Sequence, residues 1–175
     1  LGHPAKGLVL ALKNAAEKVA WANDFAFVGE YGYPQIGGAY NHPNGYSITN
    51  KIIKEKPGGY TYPAFDAVVS YRSTVPAPSN TTGWYLPSIG EWLDIISQEG
   101  IGGLDITKFK NEFRYDNTSV TAPYDVTTNI DRSLEKFDTG TVDLFYAPQY
   151  YLSALQRDKQ LVYGLGFGKN DDGYY

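Results

Sequence analysis

The chain has 175 residues, 42% of them hydrophobic and 19% charged, a balance that excludes the disordered class and supplies one domain with a sizeable core. Its net charge, 15 − 19 = −4, comes without any run of Lys or Arg, which excludes the electrostatic footprint of a nucleic-acid binder. Cys is absent, so disulfides, zinc thiolates and thiol nucleophiles are excluded and the redox compartment cannot be read.

The longest aliphatic run, Leu8 to Leu12, falls far short of the roughly 20 residues of a spanning helix, so no transmembrane segment is expected. Met is absent and the chain opens on Leu1, which reads as a processed product or a fragment of a longer protein. We expect a single domain over residues 1–175, with Gly, Pro and Tyr crowding two surface excursions, Gly29 to Tyr46 and Tyr71 to Thr82. The 16 Tyr and 19 Gly favour turns and half-buried sheet surfaces over long helices.

At the start, Gly7 to Leu12 has the composition of a buried strand, while Leu8, Leu12, Ala15 and Val19 keep helical spacing, and periodicity leaves both open. Ser47 is placed to cap a helix carrying Ile48, Ile52 and Ile53, which Pro57-Gly58-Gly59 stops. Pro63 suits a first helical position, and Phe65, Val68, Val69 and Arg72 follow at spacings of three and four. The clearest helix start is Ser88-Ile89-Gly90-Glu91, where hydroxyl and carboxylate can each satisfy the other residue's backbone N–H. Ile89, Trp92, Leu93 and Ile96 then form one apolar face, and the helix is expected to end near Gly100.

Further on, Asp105 to Arg114 and Asn129 to Phe137 read as short helices, with Asn117 to Thr128 an exposed loop between them. The sequons Asn80-Thr81-Thr82 and Asn117-Thr118-Ser119 also mark loops. From Thr141 the period changes. Val142, Leu144 and Tyr146, then Tyr150, Leu152 and Leu155, then Leu161, Tyr163, Leu165 and Phe167 point to an antiparallel sheet that closes the domain.

The segment Gly83-Trp84-Tyr85-Leu86-Pro87-Ser88-Ile89-Gly90-Glu91-Trp92 resembles the W-Y-L-P-S-x-x-E strand-to-helix corner of a bacterial group of C-type-lectin-like domains. Gly7 to Lys13 is similar to that family's opening strand, Tyr150-Tyr151-Leu152-Ser153 to its late aromatic-Ser strand, and Leu161 to Gly168 to the strand after it. The resemblance implies an α+β, C-type-lectin-like fold, a twisted antiparallel sheet with two or more helices and long loops. It also implies the address of such domains: secreted, lipid-anchored or fimbrillin-associated proteins of the bacterial outer surface. On physical grounds, Trp84 and Leu86 should face one side of a strand that Pro87 stops, with Ser88 and Glu91 starting the helix and Trp84 and Trp92 anchoring it to the sheet. The family's closing strand has no counterpart after Asp171-Asp172-Gly173-Tyr174-Tyr175, and the Glu-Pro-Asn, Gln-Pro-Asp and Trp-Asn-Asp triplets of calcium-dependent sugar binding are absent.

Chemistry-bearing residues are few. His42 sits among turn residues, and Glu30, Glu91, Asp94 and Glu99 are better read as a cap and solvated faces than as paired carboxylates. Gly164 to Lys169 lacks the spacing of a phosphate loop. Asp171 and Asp172 offer oxygen ligands, too few for a calcium site, so no metal or cofactor is expected and a turn is the better reading. The expectation is therefore a non-enzymatic surface module for adhesion or for binding an extracellular glycan or protein. Tyr31, Tyr33, Tyr40, Tyr46, Gln156, Arg157 and Asp158 are the candidate contact residues. The alternative is a structural tip or stalk subunit of a fimbrial or other surface assembly, meeting only neighbouring subunits.

Overall fold

The computed structural model describes residues 7–24, 36–41, 44–107, 119–122, 124–136, 142–145, 149–158 and 161–167. Helices α1 (Ile36–Tyr40), α2 (Gly45–Glu55), α3 (Pro63–Thr74) and α4 (Ile89–Ile96) precede strand β1 (Ser119–Ala122), helix α5 (Tyr124–Glu135) and strands β2 (Gln149–Gln156) and β3 (Val162–Phe167). The protein is thus of the α+β class. Among the described residues no helix is long and apolar enough to cross a membrane.

The sheet order is β1-β3-β2. β2 and β3 pair antiparallel, Tyr151 opposite Leu165 and Leu152 opposite Gly164. β1 lies parallel to β3, with Val120 opposite Leu165. Neither the parallel pairing nor β1 itself agrees with the expectation for this region. Residues 117–128, whose composition predicts an exposed loop, hold β1 and the first turn of α5, where Val126 and Thr127 are buried. Thr and Val suit a strand as well as a loop, and only the free edge of β3 decides between them.

The period-two alternation of β3 is real: Tyr163, Leu165 and Phe167 are all buried. In β2 it fails twice. Tyr150 is 67% exposed, and its place in the core is taken by Tyr151, which packs on Phe145, Phe167 and Trp92. After Leu152 the register shifts until Gln156 meets Val162, a bulge that buries four consecutive residues, Ser153 to Gln156.

α4 begins as the sequence demands. Glu91 N–H donates to Ser88 Oγ at 3.2 Å, and Ser88 N–H to Glu91 Oε2 at 2.7 Å. Ile89, Trp92, Leu93 and Ile96 are buried, but the helix stops at Ile96, where the Ser97 hydroxyl takes over, donating to Asp94 O and accepting from Gly100 N–H. Pro63 does open α3, whose buried stripe is Ala64, Phe65, Val68 and Tyr71; Val69 faces solvent.

Two starts differ from expectation. α2 begins at Gly45 after Asn44, leaving Ser47 exposed inside the helix, because the distant Glu91 carboxylate accepts the Gly45 N–H and supplies the cap from outside. Residues 7–20 form neither strand nor helix. This segment is tied down where Leu12 O accepts Asp143 N–H at 2.8 Å and Asp143 Oδ2 accepts Asn14 N–H at 2.8 Å. Residues 83–87 are likewise extended without strand pairing. They are held instead by Arg72, which donates to Trp84 O, and by the Thr49 hydroxyl, which bonds both Leu86 N–H and Leu86 O. The helix expected over 105–114 lies largely outside the described residues.

One buried cluster joins α2, α3, α4, α5 and the sheet. Within it the aromatic rings meet edge-on or tilted: Trp21 with Tyr62 and Phe65 under α3, and Trp92 with Phe145 and Tyr151 where α4 lies on β2.

Candidate binding groove

The corner at residues 84–92 has a polar centre. Buried Glu91 accepts Ser88 N–H and Gly45 N–H on Oε2, and the Tyr85 hydroxyl on Oε1 at 3.1 Å. Burial, then the neighbouring Glu91 carboxylate, push the Tyr85 hydroxyl well above its ordinary range, so it stays a proton donor to Glu91. With three donors committed to it, Glu91 is a structural carboxylate joining α2 to α4.

The indoles divide the work differently from the expectation. Trp92 is buried and donates its N–H to Leu152 O at 3.1 Å, fixing α4 to β2. Half-buried Trp84 turns to α3, donating to Val75 O at 2.9 Å and meeting Tyr71 edge-on. The corner also reaches the sheet through backbone, since Pro87 O accepts Ala154 N–H at 2.7 Å.

A cavity of about 590 Å³ opens beside this corner, a size that takes a small ligand or a short peptide. Its walls are the 8–19 segment, residues 83–87, Trp92 and Ile95 of α4, and Gln149 to Leu152 of β2. Exposed Leu8, Val9 and Tyr150 give it an apolar rim. Burial raises the Tyr151 hydroxyl on its wall to about 12, with Asp131, Asp143 and Glu17 adding to the shift and Asn14 opposing it. Among the described residues no group of three His, Asp or Glu side chains is placed to hold a metal ion.

The sequence-derived contact residues fall in separate places. Tyr40 is half-buried and donates to Asp94 Oδ1 at 2.7 Å, and Tyr46, 42% exposed, meets Tyr85 edge-on at 5.8 Å. Arg157 and Asp158 form the β2–β3 turn, which Leu161 closes by accepting Arg157 N–H and donating to Asp158 Oδ1. Gln156 is a correction: at 2% exposure it belongs to the buried end of β2, because the bulge turns it inward, and it is withdrawn as a surface contact. Tyr31, Tyr33, Glu30, His42, Asp171 and Asp172 lie outside the described residues.

The groove residues Leu8, Val9, Tyr150 and Tyr151 escaped the sequence reading. The adjacent pair Tyr150-Tyr151 carried a usable signal, since consecutive strand residues face opposite sides and one ring must leave the core. No family model, curated protein or solved structure matches the chain.

Proposed function

We propose that the chain is a non-enzymatic binding module of C-type-lectin-like architecture that works on the bacterial surface and takes an extracellular glycan or protein ligand in the groove beside its corner. The observation that carries this reading is the coincidence of two things. The W-Y-L-P-S-x-x-E corner carries the resemblance, and the same residues wall the cavity of about 590 Å³ rimmed by exposed Leu8, Val9 and Tyr150. Exposed apolar residues around a concave site are the usual mark of a recognition surface. Of the two carboxylates that line the cavity, Glu17 and Glu91, Glu91 is saturated by three structural donors, which favours binding over hydrolysis.

The test is binding of the purified chain to a panel of immobilised glycans and extracellular matrix proteins, alongside Val9→Asp and Tyr150→Ala. Both residues are more than half exposed, so the variants should fold. The reading expects a hit on the panel that both variants weaken at least tenfold. A panel without hits, or hits untouched by both variants, removes it.

A further inference from the structure

The inner walls of the groove have their polar groups turned to one another. Trp84 donates its indole N–H to Val75 O, Trp92 donates to Leu152 O, and the Tyr151 hydroxyl donates to Gln149 Oε1 at 3.1 Å. The Leu86 N–H and C=O both bond the Thr49 hydroxyl, and the Tyr85 hydroxyl donates to Glu91. What these walls offer a ligand is ring and aliphatic surface, from the two indoles, Leu86, Pro87 and Ile95. A sugar hydroxyl placed among them gives up water and gains little in return, whereas a hydrocarbon chain loses nothing there and gains by leaving water.

The mouth has the opposite character. Tyr150, 67% exposed, brings a flat ring with a polar tip to it, a surface suited to the C–H face of a sugar. The outer wall carries Lys13 and Lys18 against one carboxylate, Glu17, and all three residues are exposed. Glu91, the remaining charged residue of the lining, is buried and held by its three donors. Two ammonium groups to one carboxylate at the mouth favour an acid there over a cation.

We propose that the groove binds an acidic glycolipid, its hydrocarbon chain lying against the indoles and its sugar carboxylate held at the mouth by Lys13 and Lys18, beside the Tyr150 ring. A cavity of about 590 Å³ is of the size that buries most of a small ligand. Chain burial supplies the affinity, and the charged, aromatic mouth selects the head. This deepens the binding-module reading and rests on it, choosing a glycan that enters lipid end first.

The probe is dodecyl glucuronide, titrated into the full chain by calorimetry below its micelle concentration. Its companions are the decyl and octyl glucuronides, free glucuronate, dodecanoate, and dodecyl glucoside, which lacks only the carboxylate. Saturable binding is expected, weakening about tenfold for each two carbons removed and vanishing for glucuronate. The glucoside should bind at least threefold more weakly, and 0.5 M salt should narrow that gap. Lys13→Gln combined with Lys18→Gln keeps most of each aliphatic stem and should close the gap, with the glucoside unaffected. Tyr150→Ala should weaken glucuronide and glucoside alike, at least threefold, and leave dodecanoate unchanged. Circular dichroism checks the fold of each variant, and if one does not fold, the chain-length series and the salt dependence of the gap decide.

Absence of binding, or affinity independent of chain length, overturns the proposal. So does a glucoside that binds as tightly as the glucuronide, since the lysines then select nothing. Dodecanoate binding more tightly than dodecyl glucuronide overturns it too, because the occupant is then a free fatty acid. A failed glucuronide titration beside a panel hit sensitive to Val9→Asp sinks this proposal and leaves the binding module standing.

Discussion

The indole N–H of Trp21 donates to the carbonyl oxygen of Ser153 at 2.9 Å, tying the N-terminal segment to the bulge of β2 across 132 positions of sequence. The bulge exposes backbone groups that no neighbouring strand can satisfy, and both Trp21 and Ser153 are buried, so this bond replaces water that cannot enter. Trp21→Phe keeps an aromatic ring against Tyr62 and Phe65 but strands the carbonyl. We expect a loss of about 1–3 kcal/mol in urea unfolding. A change below the error of the fit means that water reaches Ser153.

Glu91 invites a graded comparison. In Glu91→Gln the amide oxygen can still accept from Ser88 and Gly45 while its NH₂ turns to the Tyr85 oxygen, so a loss of only about 1 kcal/mol is expected from the missing charge at the start of α4. Glu91→Ala abandons buried donors and should cost about 3 kcal/mol or more. Equal losses for the two variants contradict the three-donor geometry.

Gly90 faces the backbone of Tyr40, where α1 crosses α4. An added Cβ there meets Tyr40 O too closely for any real contact, and its neighbour is backbone, which cannot rotate aside. Gly90→Ala should therefore cost about 1–3 kcal/mol although Ala is the better helix former. A variant whose thermal midpoint matches or exceeds that of the parent rejects this close approach.

Alkaline pH should unfold the protein through half-buried Tyr151 and buried Tyr163. Tyr151 and Tyr163 are each raised to about 12 from the ordinary 10.0, first of all by burial. A raised pKa means that the folded state holds the proton more tightly. The stability this represents is complete below pH 10 and drains away as pH climbs toward 12. Ultraviolet titration should show these phenolates appearing together with loss of the far-ultraviolet helical signal, and Tyr151→Phe should move the unfolding transition to higher pH. Phenolates that all titrate near 10 with structure intact refute the burial assigned to them.

Local chemistry was legible where a few consecutive residues hold all the partners. Ser88 and Glu91 carry their own reciprocal hydrogen bonds, Pro63 needs no partner to open a helix, and the alternation of Tyr163, Leu165 and Phe167 requires only that one face of β3 be dry. Features whose partners lie far along the chain stayed hidden. Ser47 has the right side chain for a cap, yet Glu91, 46 positions after Gly45, supplies it, and the exposed loop expected at 117–128 turns into strand and helix.

The groove belongs to the second kind. Tyr150 and Tyr151 look interchangeable in sequence, and the bulge, the two indoles and Pro87 together decide which ring packs against the core and which faces out. Hydrogen bonds within one turn of helix form wherever the chain goes. A carbonyl freed by a bulge can be satisfied only once distant segments have packed around it.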